Sequence, residues 1–320
     1  SGDNYNTFIG YQSADADMSN ATYNTGVGWK ALGALTDADY CTVVGGNSAS
    51  ITTGSNNTHL GFQAGGSVST GATNTIVGST AGDAGNFSYA VGYQALMTQT
   101  ADVGNTAVGF QALRMQDGAG SNNAYNTALG YQAGAAVTTG ANNTILGALA
   151  GDGATTACRT TIIGDSAGSG VMITGGSIPS YADGTVALGY SALYSLTQGT
   201  GNIAIGYQVA DSLTTGDRNI AIGYQAMDDI ANDPGTQDNI FIGFDAGGGT
   251  WSAASNDYNV GIGNYVMDSA LGGAQYNVGI GYNALSSITT ADSNVAIGFQ
   301  AGQLSTIGAN NVFIGSNAGE

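Results

Sequence analysis

The sequence contains very few basic residues. Its 320 residues include 4 Lys and Arg, one His and 22 Asp and Glu, which gives a formal net charge of −18 at pH 7. Binding to nucleic acid needs Lys or Arg side chains that neutralise phosphates, and anionic membranes attract basic segments in the same way. The composition therefore excludes nucleic acid and anionic membrane surfaces as partners. Any charged partner should be cationic.

Cysteine and long apolar runs are also scarce. The two cysteines, Cys41 and Cys158, are too few for a disulfide scaffold. No apolar run reaches the ~18 residues of a membrane helix, and no basic-then-apolar stretch at the N-terminus resembles a signal peptide. We therefore expect no membrane insertion. The 17 Tyr and 8 Phe, with many Ile and Val, argue against disorder.

Glycine is abundant, with 54 residues, and much of it belongs to one repeated motif. The motif contains an aliphatic residue followed directly by an anchor Gly. Clear copies read NTALGYQAG from Asn126, NIAIGYQVA from Asn202 and NVAIGFQAG from Asn294. The anchor glycines stand at positions 10, 28, 45, 61, 78, 92, 109, 130, 147, 164, 189, 206, 223, 243, 263, 281, 298 and 315. The chain is therefore one motif repeated.

Each copy alternates like a short strand, and its β-branched residues suit a pleated sheet rather than a helix. Units of ~17 residues with Gly, Asn, Asp and Ser between strands predict an all-β parallel β-solenoid, or β-roll, of about eighteen coils spaced ~4.8 Å apart. We expect the residue three before each Gly and the residue directly before it to form the core. The residue between them should face outward.

Asn begins the motif in most copies, and stacked coils would place these side chains in a ladder of hydrogen bonds at a bend. The ladder is predicted to include Asn6, Asn105, Asn126, Asn202, Asn219, Asn294 and Asn311.

The position predicted to face outward holds Ala, Gly, Phe, Ile, Val and His59, with no charged residue. A continuous apolar stripe on the outside must be buried, and copies of the same chain running in parallel would bury it best. We therefore predict a parallel homotrimer. Its interface is expected to include Phe8, Ala107, Ala128, Ala204, Ala221, Phe241, Ala296 and Phe313.

An aromatic residue follows the anchor Gly in many copies, and Gln often comes next, as in Tyr131 and Gln132. In register, these aromatic side chains form a stripe. The stripe is either a sugar-binding platform or packing that shields the backbone.

The first strand position divides the chain, because it is mostly Thr up to Thr161 and only Val or Ile from Val186 onward. We therefore predict Thr-type coils in 1–168, an inserted loop or boundary in 169–184, and Val/Ile-type coils in 185–320. Thr rows can order water for ice binding, which needs an exposed flat face. The prediction that this row shares its face with buried aliphatic residues disfavours that activity.

Signals for catalysis or cofactors are weak. Gly164, Ser166 and Gly168 match the nucleophile-elbow pattern GxSxG but occupy the frame of the repeat, so no enzyme activity is expected. Asp residues cluster between motifs, and carboxylates bind Ca²⁺. The best candidate calcium site comprises Asp228, Asp229, Asp233 and Asp238, although a solvated acidic surface is the simpler interpretation.

The copies NVAIGFQAG, NIAIGYQAM and TVALGYSAL resemble the head repeats of trimeric autotransporter adhesins, which form a left-handed parallel β-roll, and similar repeats in phage tail fibres. The resemblance implies a structural and adhesive segment of an extracellular fibre, at a cell surface or on a virion. Its partners would be copies of itself and a cell-surface carbohydrate or protein receptor. The alternative is a self-polymerising extracellular filament joined end to end through uncapped solenoid termini.

Overall fold

The computed structural model describes residues 5–82, 88–99, 104–117, 124–172, 183–230, 236–252 and 255–319. These residues form short β-strands and no helix, which confirms the predicted all-β parallel β-solenoid. The strands are β1 (Thr7–Ile9), β2 (Thr25–Val27), β3 (Thr42–Val44), β4 (Thr58–Leu60), β5 (Thr75–Val77), β6 (Tyr89–Val91), β7 (Thr106–Val108), β8 (Thr127–Leu129), β9 (Thr144–Leu146), β10 (Thr161–Ile163), β11 (Val186–Leu188), β12 (Ile203–Ile205), β13 (Ile220–Ile222), β14 (Ile240–Ile242), β15 (Val260–Ile262), β16 (Val278–Ile280), β17 (Val295–Ile297) and β18 (Val312–Ile314).

The chain divides into two compact units. Unit 1 is Ser1–Thr156 with β1–β9, and unit 2 is Ala157–Glu320 with β10–β18. The sequence places a loop or boundary at 169–184. Most of that segment, residues 173–182, lies outside the described residues.

Within each unit, every strand pairs in parallel with the next strand along the chain. The pairing is in register, so that Ala204 of β12 lies opposite Ala221 of β13. The backbone N–H of Gly223 donates to the carbonyl of Ile205 over 2.9 Å, and the same bond recurs from coil to coil. Equivalent motif positions therefore stack into columns.

The orientation predicted for the strands is wrong. The middle residue of each strand points into the coil, and the two flanking residues point outward. In β13, Ala221 is buried, whereas Ile220 and Ile222 are partly exposed. Ala or Gly occupies the middle position in most strands, and the aliphatic residues on either side of it are partly exposed.

This orientation corrects the predicted chain interface. Six of the eight residues expected to contact other copies are buried within their own unit: Ala107, Ala128, Ala204, Ala221, Phe241 and Ala296. Phe8 and Phe313 are partly exposed. These positions build the core, so that the surface available to another chain is formed by their neighbours.

The largest buried residue of the middle column, Phe241, enters the core beside a coil that has glycine. The ring of Phe241 covers Gly261, where an added Cβ would lie 2.5 Å from Phe241 Cδ1. Phe241 also contacts the buried Trp251 edge to face, with ring centroids 5.6 Å apart. Exchange of volume between adjacent coils thus keeps the interior filled.

The anchor glycines allow the coils to approach closely. Gly206 has φ +140°, and an added Cβ would lie 2.2 Å from the carbonyl oxygen of Gly223 in the next coil. Neither the backbone conformation nor the space accepts a side chain. The contact with the next coil explains why every copy of the motif has Gly at this position.

Candidate functional site

The Asn side chains at the start of the motif form a buried column. Oδ1 of Asn202 accepts a hydrogen bond from the backbone N–H of Asn219 over 3.0 Å, and the Asn219 side chain donates to the carbonyl of Thr236 over 2.9 Å. The predicted residues Asn6, Asn105, Asn126, Asn202, Asn219, Asn294 and Asn311 all accept or donate such bonds. These amides link neighbouring coils, which is a structural role, although the side-chain N–H₂ of Asn105 has no hydrogen-bond partner among the described residues.

The first and third residues of each strand form what we call the outward strand face. In unit 1 its first column is mostly Thr, and Thr42, Thr58 and Thr127 are exposed. In unit 2, from β11 to β18, both columns are Val, Ile or Leu. Leu188, Ile262 and Ile297 expose 38%, 38% and 39% of their surface. Within the described residues, each unit thus presents a continuous face with no charged side chain.

The aromatic side chains that follow the anchor glycines form a second exposed column, here called the aromatic ladder. Tyr190, Tyr207 and Tyr224 stack with ring centroids 5.1 and 5.0 Å apart and ring planes inclined by 15° and 8°. In unit 1, Phe110 stacks on both Tyr93 and Tyr131 at 5.3 Å. The stacked rings cover each other's faces and expose their edges. A sugar platform needs free faces, so the packing interpretation is favoured for these stretches.

The sequence analysis missed a further aromatic column, which lies just before the motif Asn. Tyr23 stacks between Tyr5 and Tyr40, and Tyr258 stacks on Tyr276 at 5.1 Å. The dipeptide Tyr-Asn at the start of several copies was the available signal.

The residues predicted to bind calcium are engaged separately. The guanidinium of Arg218 donates to both carboxylate oxygens of Asp238 over 2.7 and 2.8 Å, and these bonds lower the pKa of Asp238. Asp229 accepts a hydrogen bond from the hydroxyl of Thr250. Asp233 lies outside the described residues. Among the residues described, no three His, Cys, Asp or Glu side chains are arranged to hold a metal ion.

Asp228, the remaining residue of the predicted calcium site, lies instead near other carboxylates in unit 2. Burial, with repulsion from Asp245 and Asp211, raises the pKa of Asp228 to about 7. Burial also raises the pKa values of Asp211, Asp245 and Asp268. Asp211, Asp228 and Asp268 occupy the same motif position, five residues after an anchor Gly. That recurrence was the signal in the sequence, and it was missed.

The residues of the GxSxG pattern and the single histidine have separate environments. The Ser166 hydroxyl donates to the Asp165 carboxylate over 3.0 Å on the surface of unit 2. His59 is the buried middle residue of β4 in unit 1, and burial lowers its pKa to about 4. Neither ring nitrogen of His59 has a hydrogen-bond partner among the described residues.

Within the part of the chain that the structure describes, no helix has the length and apolar character needed to cross a membrane. The outward strand face, the aromatic ladder and the Tyr column before the motif Asn are all exposed. No protein-family model, curated protein or solved structure matches this chain.

Proposed function

We propose that this chain is a structural and adhesive segment of an extracellular fibre, without catalytic activity, located at a cell surface or on a virion. Three copies run in parallel and bury their outward strand faces against one another. The resemblance of the motif to adhesin heads and tail-fibre repeats supports this proposal. It also supplies the number of copies.

The observation that carries the proposal is the apolar character of the outward strand face. From β11 to β18 of unit 2 the face consists of two aliphatic columns, and residues such as Leu188 and Ile297 expose more than a third of their surface. Soluble monomers rarely expose contiguous apolar patches of more than a few hundred Å². A second protein surface is the natural cover for a face without charge.

The direction of the strands favours parallel association. All strands within a unit point the same way, and each column runs from coil to coil. Copies related by a rotation axis along these columns bring like residues together in every coil, and such cyclic assemblies close on themselves. The repeat thus extends the same contact over many coils.

The test is a pair of matched substitutions in one coil of unit 2. Ile205→Asp places a charge on the outward strand face and should convert trimers to folded monomers, because the charge is buried unpaired in the assembly. Gln208→Asp, three residues later, should leave the trimer intact, since Asp245 is native at the same motif position. Sedimentation gives the mass, and far-ultraviolet circular dichroism checks that the β-structure persists.

A wild-type chain that sediments as a monomer would refute the assembly. A stable dimer would retain the interface and refute the number of copies. Ala204→Asp serves as a third variant, because Ala204 is buried within its own unit. It should disrupt the fold rather than only dissociate the copies.

Ice binding is the second candidate function, and exposure of the Thr column in unit 1 favours it. The reason given above against ice binding was that the column shares a buried face, and that reason does not hold. Thermal hysteresis of the purified chain distinguishes the two. Ice growth inhibited by the chain and lost in Thr58→Tyr would support ice binding, whereas unchanged freezing would eliminate it.

A further inference from the structure

The aromatic ladder of unit 1 is interrupted in the coils near its start. Trp29 and Phe62 belong to the ladder, but Gly46 stands between them and Ser79 follows Phe62. The coils remain in register there, because Asn47 N–H donates to the carbonyl of Trp29 over 2.7 Å and Gln63 N–H donates to that of Gly46 over 3.1 Å. The ladder therefore lacks a ring at Gly46, between two coils that each have one.

The two rings border a gap above Gly46. A Cβ added to Gly46 would lie 3.5 Å from Phe62 Cδ2 and 4.0 Å from Trp29 Cε3, which are ordinary contact distances. Trp29 and Phe62 are 48% and 53% exposed, and neither stacks on another ring among the described residues. Unlike the stacked tyrosines, the two rings have no aromatic ring on their faces, although Lys30 Nζ lies over the ring of Trp29.

Unit 2 contains a comparable interruption that is filled. Asn264 takes the ladder position between Phe244 and Tyr282, and the ring of the next residue, Tyr265, inserts there. Its centroid lies 5.2 Å from that of Phe244 and 5.8 Å from that of Tyr282, in edge contacts with both. A ladder gap of one coil therefore accommodates a six-membered ring. At Gly46 the next residue is Asn47, which has no ring to offer.

The amide column beside the ladder is interrupted in the same coils. Further along unit 1, Gln111 donates to Gln94 and Gln132 donates to Gln111, each over 2.8 Å. The side-chain amides of Asn47 and Gln63 have no such partner within the described residues. Free aromatic faces and free amides thus occur together, next to each other in sequence.

Asn47 lines two small cavities. One, of about 290 Å³, is lined by Asn47, Gln63, Gly66, Ser67, Thr80, Gly82 and Met97. The other, of about 230 Å³, is lined by Gln12, Asp15, Lys30, Gly33, Ala34, Asn47, Ala49 and Ser50. Asn47, which directly follows Gly46 in the sequence, lines both cavities, and the rings of Trp29 and Phe62 line neither. The size of the cavities suits one sugar residue each rather than a drug-sized ligand.

We propose that the gap between Trp29 and Phe62, with the cavities that Asn47 lines, is a binding site for a neutral carbohydrate. The C–H face of a pyranose is apolar and packs on an aromatic face, as Tyr265 packs between its neighbours. Its hydroxyl groups both donate and accept hydrogen bonds, and the amides of Asn47 and Gln63 do the same. The inference rests on the proposed adhesive function and names the receptor chemistry and the site.

The charges at the site favour a neutral sugar over an anionic one. One cavity contains Lys30 and Asp15, whose formal charges cancel, and the other contains no charged residue. Lys30 Nζ lies 5.2 Å from the centre of the Trp29 ring, where a cation–π contact holds it. The remaining contacts come from amides and hydroxyls.

Tryptophan fluorescence provides a direct readout. The chain has 2 Trp, and Trp251 is 1% exposed in the core of unit 2 while Trp29 borders the gap. The full chain is titrated with neutral oligosaccharides built from hexose, deoxyhexose and N-acetylhexosamine. Binding should change the emission of Trp29, and Trp251 supplies a constant background.

Gly46→Tyr is the decisive variant, because its ring should complete the ladder and occupy the gap. We expect it to fold and to bind at least about tenfold more weakly, since the stacking contact is lost. Ala148→Tyr makes the same kind of change at the same motif position elsewhere in unit 1 and should bind like the wild type. Asn47→Ala should also weaken binding while the trimer persists.

The oligomeric state of each sample separates the two proposals. Trimers that bind none of these sugars would overturn the carbohydrate site and leave the fibre proposal standing. Monomers that bind sugar would support the carbohydrate site and overturn the proposed assembly of the fibre. Equal binding by Gly46→Tyr and Ala148→Tyr would place the sugar elsewhere, and tighter binding of a Tyr-containing peptide than of any sugar would assign the gap to a protein partner.

Discussion

Replacement of one anchor glycine by alanine should destabilise unit 2 far more than replacement of a nearby glycine outside the column. At Gly206, φ is +140°, and the new Cβ would lie 2.2 Å from the carbonyl oxygen of Gly223 and 2.9 Å from Val209 Cγ2. At Gly201, φ is +65°, and the new Cβ would meet only Arg218 Cγ at 3.7 Å. The two substitutions are chemically identical and five residues apart.

The expected cost at Gly206 has two parts. A non-glycine residue held at this φ costs roughly 1–3 kcal/mol. Relief of the overlap also requires neighbouring coils to separate by more than ~1 Å, which weakens backbone hydrogen bonds worth roughly 0.5–1.5 kcal/mol each. Gly206→Ala should therefore lower the free energy of unfolding by about 3–6 kcal/mol. Gly201→Ala should cost only about 1–2 kcal/mol, the penalty for a left-handed alanine.

Urea denaturation followed by circular dichroism measures the difference. Because a solenoid is stabilised mainly by contacts between neighbouring coils, hydrogen exchange should show the loss of protection around β12 and β13. Equal denaturation midpoints for the two variants would show that coil contact does not require glycine in this column. That result would refute the packing described here.

Three other substitutions test the buried polar groups. Asp228→Asn should raise the thermal stability of unit 2 at about pH 8 and reduce its pH dependence. The pKa of Asp228 is about 7 in the wild type, so the stability of the folded state falls as pH rises through that value. Melting curves from pH 4 to 8 would show the difference. His59→Ile should stabilise unit 1 by roughly 1–3 kcal/mol, because it removes two unpartnered nitrogens and Ile76 is native at the same position. Urea denaturation should also show that the variant no longer loses stability as pH falls from about 6.5 to about 4. Asn219→Ala should cost roughly 2–4 kcal/mol, since the buried N–H of Asn239 loses its acceptor, and hydrogen exchange at that amide would report it.

The repeat made the fold predictable from the sequence, but it did not make the orientation of the strands predictable. Alternation shows that a three-residue strand has two faces, and it does not show which face is inside. Hydrophobicity favoured Ile220 and Ile222 over Ala221 for the core, and the structure has the reverse. A signal was available, because Phe241 is followed in its column by Gly261, as expected for exchange of volume inside a core.

The candidate site was less predictable than the fold. The aromatic stripe was evident, but whether its rings are stacked or free depends on the ladder positions that lack a ring. Gly46 and Asn264 both interrupt the stripe in the sequence, and only the structure shows that Tyr265 fills one interruption. Likewise, Asp238 looked like a metal ligand until its partner Arg218 was seen.

Because the anchor glycines hold the register, the length of chain between them can vary without a change in strand pairing. The chain between anchors varies from 14 residues, between Gly78 and Gly92, to 25, between Gly164 and Gly189, yet the strands on either side remain paired. Because each coil needs only its immediate neighbours, a duplicated or deleted coil leaves the others intact. The segments that connect the coils can therefore be replaced by segments of other lengths. A mutation of one residue of the aromatic ladder can create or remove a binding gap.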